Sequence, residues 1–474
     1  MSNKQSLSAM QRIETLLDDA SFVEVGAYVT ARSTDFNLSE SETPKDGVVT
    51  GYGTVDGRLV YCYSQDATVL GGAIGEMHAK KIAKVYDMAM KVGAPVVGFI
   101  DCAGLRLQEA TDALNAFGEV YLKQTLVSGV VPQITGIFGM CGGGTAIVPT
   151  LTDITFMTAE GSKLFVNSPN ALDGNYKEKL DTASADYLSK NTALVDAVFA
   201  DDAELIAGVR KTLALLPSNM SDDSYCEAAD DLNRIIPNLE TLAADAKGIV
   251  NQIADAGSFM ELKADYAKDM VIGLLKLGGQ TVGVVANQAA EEGKLITTSG
   301  AYIAADFVRF CDAFGIPVLS IVNSTGFAKT VSNERTIADA AAKLTYAFAN
   351  ATVPKVTLIV GEAFGTAYTI MNSKSIGADM VYAWPQAKVG TMDPEMAVKI
   401  MYEKEIAAAE DKKAEIAKYK STYVALQSDA LAAAKRGYVD DIIEPDATRK
   451  RLVAAFDMLY TKNEDRPYKK HGAV

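Results

Sequence analysis

The chain has 474 residues, too many for one ordinary hydrophobic core, and its length predicts two or three domains at roughly 150 residues each. With 49% hydrophobic and 22% charged residues it has the composition of a soluble globular protein, and no apolar run is long enough to span a bilayer. The net charge of −15 argues against a nucleic-acid backbone as the main partner, since that contact needs an excess of Lys and Arg.

The predicted elements occur twice, in the same order. Each half has a glycine-containing hairpin, a helix, an apolar strand that ends in a turn of small residues, a second helix and a second buried strand. In the first half the hairpin, the two helices and the second strand are predicted at 51–64, 79–92, about 110–128 and 133–138. In the second half they are predicted at 273–287, 301–314, about 336–350 and 355–360. Strands that alternate with helices predict an α/β fold with right-handed crossovers.

Two further regions are predicted to be helical. Residues from about 200 to 255 are acidic and rich in Ala and Leu, and we expect a helical connection there. Residues 403–420 precede a predicted C-terminal helix.

The two halves are related by a constant shift of 222 residues. Pro95 corresponds to Pro317, and Pro132 to Pro354. Glycines obey the same shift at positions 51, 57, 93, 104, 139 and 143, which correspond to 273, 279, 315, 326, 361 and 365. Because glycine and proline mark special backbone conformations, the repeat predicts shared turns.

Cysteine and histidine usage limits the chemistry. The five cysteines are widely spaced and match no zinc or disulfide pattern, so we expect reduced thiols and no metal site. Of the two histidines, His78 falls within a predicted amphipathic helix and His471 lies near the C terminus. A His-dependent triad would have to use one of them, and no nucleophile elbow, Walker loop or H-E-x-x-H motif is present. An enzyme with this sequence would depend on groups other than side-chain bases.

A glycine-rich turn follows the second buried strand of each half. In the first half it is Cys141-Gly142-Gly143-Gly144-Thr145, and in the second Phe364-Gly365-Thr366-Ala367-Tyr368. Small residues let a ligand approach the backbone, and N–H groups at a helix start point outward without a partner, as in an oxyanion hole. Close packing of helix on strand would also explain the glycines of either turn alone. Two such turns at equivalent positions favour an enzyme that handles two oxyanions.

Several segments together resemble one known family. They are DGVVTGYGTVDGRLVYCYSQDATVLGGAIGEMHAKKI, FIDCAGLRLQEA where the family has SGGARIQEG, VPQITGIFGMCGGGTAIVPTLTD, GSFMELKADYAKDMVIGLLKLGGQTVGVVANQ, and GTAYTIMNSKSIGADMVYAWPQAKVG with RGYVDDIIEP and KKHG. Over nearly its full length the chain is similar to the carboxyltransferase (β) subunits of propionyl-CoA and methylmalonyl-CoA carboxylases, transcarboxylases and related decarboxylases.

This resemblance implies two tandem crotonase-like (ClpP-like spiral) domains, which we place at residues 1–240 and 241–474. It implies acyl-CoA on the N-terminal domain and carboxybiotin on the C-terminal domain, with the biotin borne by a separate carrier protein. The family site lies at a head-to-tail interface between protomers, usually in a hexamer, a trimer of dimers. In the family reaction the ureido anion left after CO2 release removes the α-proton of the acyl group, so no protein base is needed.

The family pattern also assigns individual residues. Matching positions give backbone donors at Gly143 and Gly144 in the first domain and at Thr366 and Ala367 in the second. The segment around Ala103, Gly104 and Arg106 matches a loop near CoA, and Lys81 is a candidate phosphate contact. On the biotin side the candidates are Gly326, Phe327, Gly365, Tyr368 and Thr369, the last at a position that shapes the acyl pocket in the family. Which turn serves CoA and which serves biotin is assigned by the family pattern alone.

Other interpretations stay open at this point. Arg106 is equally explained as an ion-pair partner of Glu109, and Lys81 as part of a solvated helix face. Ala89-Met90-Lys91-Val92 resembles a biotin-attachment motif, but its position at a helix end favours a carrier on another subunit.

The sequence also departs from the family, with Thr366 inside its GGAY motif, Ser324–Lys329 in place of PGFLPG, and Gly361-Glu362 where it has Arg-Lys.

Three alternatives to the carboxylase function follow. A carboxylase would have a biotin carboxylase and a carrier protein as partners. The first alternative is a sodium-pumping decarboxylase, which runs the same chemistry in reverse and would have membrane subunits as partners. A crotonase-type hydratase or isomerase would need a carboxylate such as Glu109 or Glu362 over the reacting carbon. A non-catalytic subunit is the third alternative. The amino-terminal segment lacks the features of a secretory signal or a transit peptide, so we expect a cytoplasmic protein.

Overall fold

The structure is a computed structural model, and it describes residues 6–32, 36, 41–223, 225–228, 230–467 and 471–473. The chain divides into two compact units, Met1–Ser224 and Tyr225–Val474. Both units alternate strands with helices, which confirms the α/β class predicted from the sequence.

The first unit contains a mostly parallel sheet and its helices. Its strands are β1 Val23–Glu24, β2 Val48–Val55, β3 Arg58–Gln65, β4 Val96–Cys102, β5 Gln133–Gly142, β6 Ile154–Thr158, β7 Lys163–Phe165 and β8 Ala197–Phe199. Its helices are α1 Ala9–Leu16, α2 Glu76–Val92, α3 Ala110–Val127, α4 Ile147–Thr150, α5 Asn175–Glu178, α6 Ala185–Asn191 and α7 Asp202–Leu215. The sheet order is β1-β2-β3-β4-β5-β6-β8, and β7 pairs with the end of β5.

The second unit repeats this plan. Its strands are β9 Met260–Leu262, β10 Met270–Leu277, β11 Gln280–Asn287, β12 Leu295–Ile296, β13 Val318–Ser324, β14 Gly326–Phe327, β15 Lys355–Phe364, β16 Met380–Ala383, β17 Lys388–Gly390 and β18 Asp441–Ile442. Its helices are α8 Ala246–Ile253, α9 Thr298–Ala313, α10 Val331–Glu334, α11 Ile337–Asn350, α12 Gly365–Ile370, α13 Pro394–Met401, α14 Glu403–Ala408, α15 Lys412–Tyr423, α16 Ala430–Lys435 and α17 Thr448–Leu459, with a π-helix at Val424–Ser428. The sheet order is β18-β16-β15-β13-β11-β10-β9, and β17 pairs with β15.

The strand pairing shows why the two halves share their turns. In each unit an antiparallel hairpin, β2–β3 or β10–β11, leads into parallel strands that place their carboxyl ends at one edge. Apolar side chains of the strands and the covering helices form a separate core in each unit. The crossover connections therefore deliver the loops after β4 and β5, and after β13 and β15, to one end of their sheet.

The predicted elements are confirmed with small shifts of their ends. Helix α2 begins three residues earlier than predicted, and β5 and β15 each run four residues past the predicted end. The predicted helical connection is only partly correct, because α7 and α8 are separated by residues 216–245, whose described part contains only a short 3-10 helix at Leu239–Leu242. Pro217 and the Ser, Asn and Asp residues after it favour turns over helix.

Candidate functional site

The two glycine-rich turns have the same backbone conformation. Gly143 and Gly365 each follow the second central strand of their unit and adopt φ values of 60° and 61°. Gly143 begins a short 3-10 helix and Gly365 begins α12, and the first N–H groups of a helix have no partner within it. The repeat predicted from spacing is therefore present in the backbone itself.

The two turns differ in the free space next to their backbone. A Cβ atom at Gly143 would meet no atom within 4 Å, whereas one at Gly365 would lie 3.1 Å from the Thr391 carbonyl oxygen. Thr366 is exposed and Ala367 is buried. The first turn thus has open space above its backbone, and the second is closed on one side by the chain after β17.

A tyrosine that the sequence did not single out holds the first turn. The Tyr121 hydroxyl, on α3, donates a hydrogen bond of 2.6 Å to the Gly144 carbonyl oxygen. A Cβ atom at Gly144 would lie 3.1 Å from the same hydroxyl, tighter than an ordinary contact, so glycine favours this close approach. The position equivalent to Tyr121 in the second half is Lys343, so the repeat gave no signal for it.

The loop after β4 lies against the first turn. Ala103 is exposed and its N–H donates to the Gly71 carbonyl at 2.9 Å. Gly104 adopts φ 116°, and a Cβ atom there would lie 3.2 Å from the Gly142 carbonyl oxygen. The structure therefore brings the predicted Gly104 segment and the predicted turn together.

The equivalent loop of the second unit is built similarly. Gly326 adopts φ 153° and, with Phe327, forms β14, which pairs in parallel with β12 and contacts α12. In the first unit the same pairing is reduced to a single bridge between Ile74 and Leu105. Gly326 and Phe327 are thus next to the second turn, as Gly104 is next to the first.

Arg106 and Lys81 point into the protein. The Arg106 side chain is 0% exposed, and its Nη1 contacts Asp46 Oδ1 at 2.5 Å and Glu109 Oε1 at 2.7 Å. This geometry favours the interpretation of Arg106 as an ion-pair partner. Lys81 is buried, and its Nζ donates to the carbonyl oxygens of Lys45 and Val48. Burial lowers the pKa of Lys81 to about 8. Its ammonium lies neither on a solvated face nor in an open ligand site.

His78 is a buried structural residue. Its Nδ1 lies 2.9 Å from the Asp46 carbonyl oxygen and its Nε2 lies 3.1 Å from Gln65 Nε2. Because the carbonyl only accepts and the amide nitrogen only donates, the ring is the neutral tautomer with its proton on Nδ1. Burial lowers the pKa of His78 to about 3. It has no free nitrogen for general base catalysis.

The two carboxylates that a hydratase would need are both paired. Glu109 Oε1 contacts Arg106 and its Oε2 accepts the Glu76 N–H at 2.6 Å. Glu362 Oε2 contacts Lys294 Nζ at 2.9 Å. Neither arrangement provides a free carboxylate poised over one of the turns.

A cavity of about 620 Å³ opens onto the second turn. Its lining consists of Gly365, Thr366, Tyr368, Thr369, Val389, Gly390, Thr391, Tyr423, Gln427, Ala433, Arg436 and Tyr438. The sequence predicted Gly365, Thr366, Tyr368 and Thr369 but not the other lining residues. These come from β17, the π-helix, α16 and the residues next to them, which lie beyond the ungapped repeat. Arg436 ties that wall together by donating to the carbonyls of Ala432 at 2.7 Å and of Leu426 at 2.9 Å.

The two units place a phenylalanine beside the turn from opposite strands. In the first unit Gly142 on β5 pairs with Phe165 on β7, and the Phe165 ring fills the space beside Gly142. In the second unit Phe364 on β15 pairs with Gly390 on β17, so the ring comes from the other strand. In each pair the ring therefore lies opposite a glycine.

The described part of the chain contains neither a metal-binding cluster nor a membrane-spanning helix. It has no group of three or more His, Cys, Asp or Glu side chains placed to hold a metal ion. None of its helices combines the length and apolar character needed to cross a membrane.

Comparison with known proteins shows the family to which the chain belongs. Residues 2–474 match the carboxyl transferase domain family, and the chain belongs to that family. It is 41% identical to methylmalonyl-CoA decarboxylase subunit alpha of Propionigenium modestum, over 99% of this chain and 93% of the relative. It is 40% identical to the propionyl-CoA carboxylase beta chain of Roseobacter denitrificans, again over 99% and 93%.

A solved structure gives the same result. The crystal structure of transcarboxylase 12S, described as a hexamer assembly with methylmalonyl-CoA and methylmalonic acid bound, superimposes with a TM-score of 0.94. Its identity to this chain is 35%, and the match covers 98% of this chain and 92% of that one. The family, the crotonase-like fold and the class of enzyme predicted from the sequence are confirmed.

Proposed function

We propose that this chain is the carboxyltransferase subunit of a biotin-dependent acyl-CoA carboxylase, acting on a short-chain acyl-CoA. The observation that carries the proposal is the pair of turns with matching backbone at Gly143 and Gly365, the first of them open to a ligand. Propionyl-CoA and methylmalonyl-CoA are the proposed substrates, because the relatives carry these names and the transcarboxylase structure holds methylmalonyl-CoA.

The proposed roles of the turns follow the family pattern. The N–H groups of Gly143 and Gly144 would bind the thioester oxygen as it becomes an enolate, and those of Thr366 and Ala367 the ureido oxygen. Preorganised N–H donors of this kind are worth roughly 3–4 kcal/mol each in the transition state. We assign acyl-CoA to the domain at 1–240 and carboxybiotin to the domain at 241–474, with Ala103 and Gly104 beside CoA. Lys81 and Arg106 would support the site from the interior.

The residues around the second turn fit a biotin head group. No carboxylate occurs among the described residues that line its cavity, while Arg436 and several hydroxyl groups do. A cavity of about 620 Å³ accommodates a small bicyclic ring with an attached carboxylate. When bound, biotin would supply the carboxyl group and the base. Lys91 lies in the last turn of α2, so the carrier would be a separate protein.

The proposed assembly follows the family. The structural relative is a hexamer assembly, and we propose a hexamer that works with a biotin carboxylase and a carrier protein in the cytoplasm. A decarboxylase that runs the same transfer in reverse with membrane partners is the second candidate, because methylmalonyl-CoA decarboxylase subunit alpha shares 41% identity.

Purified protein should decarboxylate malonyl-CoA or methylmalonyl-CoA in the presence of free biotin. Ala367→Pro should reduce this rate by about 100-fold, since proline removes one N–H of the second turn. Product acyl-CoA is measured by chromatography.

Ala203→Pro is the control, because Ala203 is also in the first turn of a helix but is exposed in α7. Wild-type protein that is inactive with every acyl-CoA, or that hydrates an enoyl-CoA without biotin, would contradict the proposal.

Thr369 is the proposed specificity residue, because its position shapes the acyl pocket in the family and the acyl group must reach the carboxyl group held at the second turn. Its hydroxyl donates to the Gly365 carbonyl at 3.3 Å, a long bond, and its side chain lines the cavity. Thr369→Val keeps the shape and removes the hydroxyl, so the ratio of kcat/KM for propionyl-CoA and acetyl-CoA should change by about 3- to 10-fold. Competition between the two substrates measures the ratio, and an unchanged ratio would remove Thr369 from the specificity site.

A further inference from the structure

A cluster of buried charges lies behind the first turn. Asp46, Lys81, Arg106 and Glu109, the buried quartet, come from three segments of the first unit, because Arg106 and Glu109 share the loop after β4. The side chains of Arg106, Asp46 and Glu109 are at most 1% exposed, and Lys81 is 5% exposed. Two acids and two bases make the quartet neutral overall, as burial requires.

The quartet ties the loop after β4 to the start of α2. Arg106 contacts both carboxylates through Nη1, and its Nη2 donates to the Ala73 carbonyl at 2.8 Å. Glu109 accepts the Glu76 N–H, and Asp46 Oδ2 accepts the His78 N–H at 2.7 Å. The guanidinium is thus held from three directions.

Backbone strain surrounds the same cluster. Lys45, Asp46, Leu70 and Ala110 are non-glycine residues with φ of 56°, 49°, 50° and 47°. Such conformations persist only where the surrounding contacts enforce them, and they gather at functional sites. Asp46 belongs to the quartet and Ala110 follows Glu109 directly, so the contacts of the quartet can hold these two conformations.

The second unit holds the equivalent loop without these charges. Ala328 stands at the position of Arg106, and Val331 at that of Glu109. The Ala328 N–H still donates to the Ile296 carbonyl at 2.9 Å, as the Arg106 N–H does to Ile74 at 3.0 Å. The backbone course therefore does not need the charges, and their role in the first unit is additional.

We propose that the buried quartet fixes the Ala103–Arg106 loop against the first turn, and that Arg106 is a positioning residue for carboxyl transfer. The contact through which it acts is the approach of Gly104 to the Gly142 carbonyl. This inference rests on the proposed function for its kinetic part. The Arg106 side chain is 0% exposed and cannot reach a ligand, and it holds the wall against which the first turn presents its N–H groups.

A double variant that keeps the buried quartet neutral tests the proposal. Arg106→Met alone leaves a buried carboxylate unpaired, which threatens the fold. The double variant Arg106→Met/Glu109→Gln removes one base and one acid, so the quartet keeps a net charge of zero. Its kcat should fall by about 10- to 100-fold, with a smaller change in KM for the acyl-CoA, because a shift of about 1 Å in a positioning group costs that much. Arg106→Lys keeps the positive charge but lacks the planar guanidinium with its several N–H donors, so it should recover part of the lost kcat.

The matched control is a second buried arginine. Arg449 in the second unit is fully buried, contacts Asp255 at 2.6 Å and donates to the Ile253 carbonyl. Arg449→Met/Asp255→Asn should lower the thermal midpoint and leave the kcat of the folded protein unchanged. A fall in kcat equal to that of the first double variant would overturn the inference.

Amide hydrogen exchange gives a readout that needs no activity. In the Arg106→Met/Glu109→Gln protein, exchange at residues 103, 104 and 106, whose N–H groups are hydrogen-bonded in the wild type, should rise at least about tenfold, while exchange in β10 and β11 stays unchanged. If wild-type protein is inactive, the proposed function fails but this measurement still tests the positioning. A folded variant with wild-type exchange at residues 103, 104 and 106 overturns the inference, as does one with wild-type kcat when the wild type is active. Should the double variant not fold, Arg106→Lys is measured in the same way, with the same outcomes.

Discussion

Gly143→Ala should lower kcat/KM by about 100-fold or more while the protein stays folded. A Cβ atom at Gly143 would meet no protein atom within 4 Å, so the methyl group clashes with nothing in the protein. It would enter the space in which a substrate oxygen must approach the N–H groups, and losing one such donor costs about 10²- to 10³-fold. Initial rates of acyl-CoA decarboxylation with free biotin measure the effect.

Gly57→Ala separates loss of activity from backbone strain. Gly57 forms the turn between β2 and β3 and has φ 77°, and a Cβ atom there would also meet nothing within 4 Å. Alanine at positive φ costs roughly 1–2 kcal/mol at either position. Both variants should therefore lose similar thermal stability, and only Gly143→Ala should lose activity. Equal activities would show that the space above Gly143 does not receive the substrate.

Asp153→Asn should stabilise the protein at pH 8 and have little effect near pH 4. The Asp153 carboxylate accepts the Gln133 N–H at 2.7 Å, but burial, with the nearby charge of Asp196, raises its pKa to about 7. The folded protein therefore binds a proton that the unfolded chain releases near pH 4. The stability contributed by the protonated carboxyl is complete below pH 4 and is lost as the pH rises through about 7.

The size of the stabilisation follows from the change in the pKa of Asp153. At about 1.36 kcal/mol per pKa unit, a rise from 3.8 to about 7 corresponds to at most about 4 kcal/mol, and the partial exposure of the residue reduces this to about 1–2 kcal/mol. Asparagine keeps an oxygen for the Gln133 N–H and does not ionise. Thermal unfolding between pH 5 and 8 should show a gain over wild type that grows with pH.

The second unit provides the matched control for Asp153. Asp379 makes the same two backbone bonds to Lys355 that Asp153 makes to Gln133, but it also contacts Lys462 Nζ at 2.8 Å. Asp379→Asn loses this ion pair and should lower the thermal midpoint at pH 8. A gain for both variants, or a gain for Asp153→Asn that does not vary with pH, would contradict the explanation by ionisation.

The sequence predicted the features that depend on local backbone conformation. Gly104 and Gly326 share a positive φ, as do Gly143 and Gly365, because each turn needs it. The constant sequence shift between the halves reveals such positions without knowledge of the contacts. Strands and helices were found because their apolar period is local. The fold and the positions of both turns followed from this information.

Contacts between distant segments could not be predicted. Lys81 lies on α2 with the pattern of an exposed helix residue, yet its ammonium is buried against the segment of Lys45 to Val48. Asp46 and Tyr121 gave no signal, because their partners Arg106 and Gly144 are 60 and 23 residues away. The cavity wall at Tyr423 and Arg436 lies beyond the ungapped repeat, where the two halves can no longer be compared by a constant shift.

The phenylalanine beside each turn limits which strands of the two halves could replace one another. Gly142 on β5 pairs with Phe165 on β7, whereas Phe364 on β15 pairs with Gly390 on β17. A single strand moved from one half into the equivalent place in the other would put two phenylalanines or two glycines beside the turn. Strands β5 and β7 therefore match β15 and β17 only as a pair.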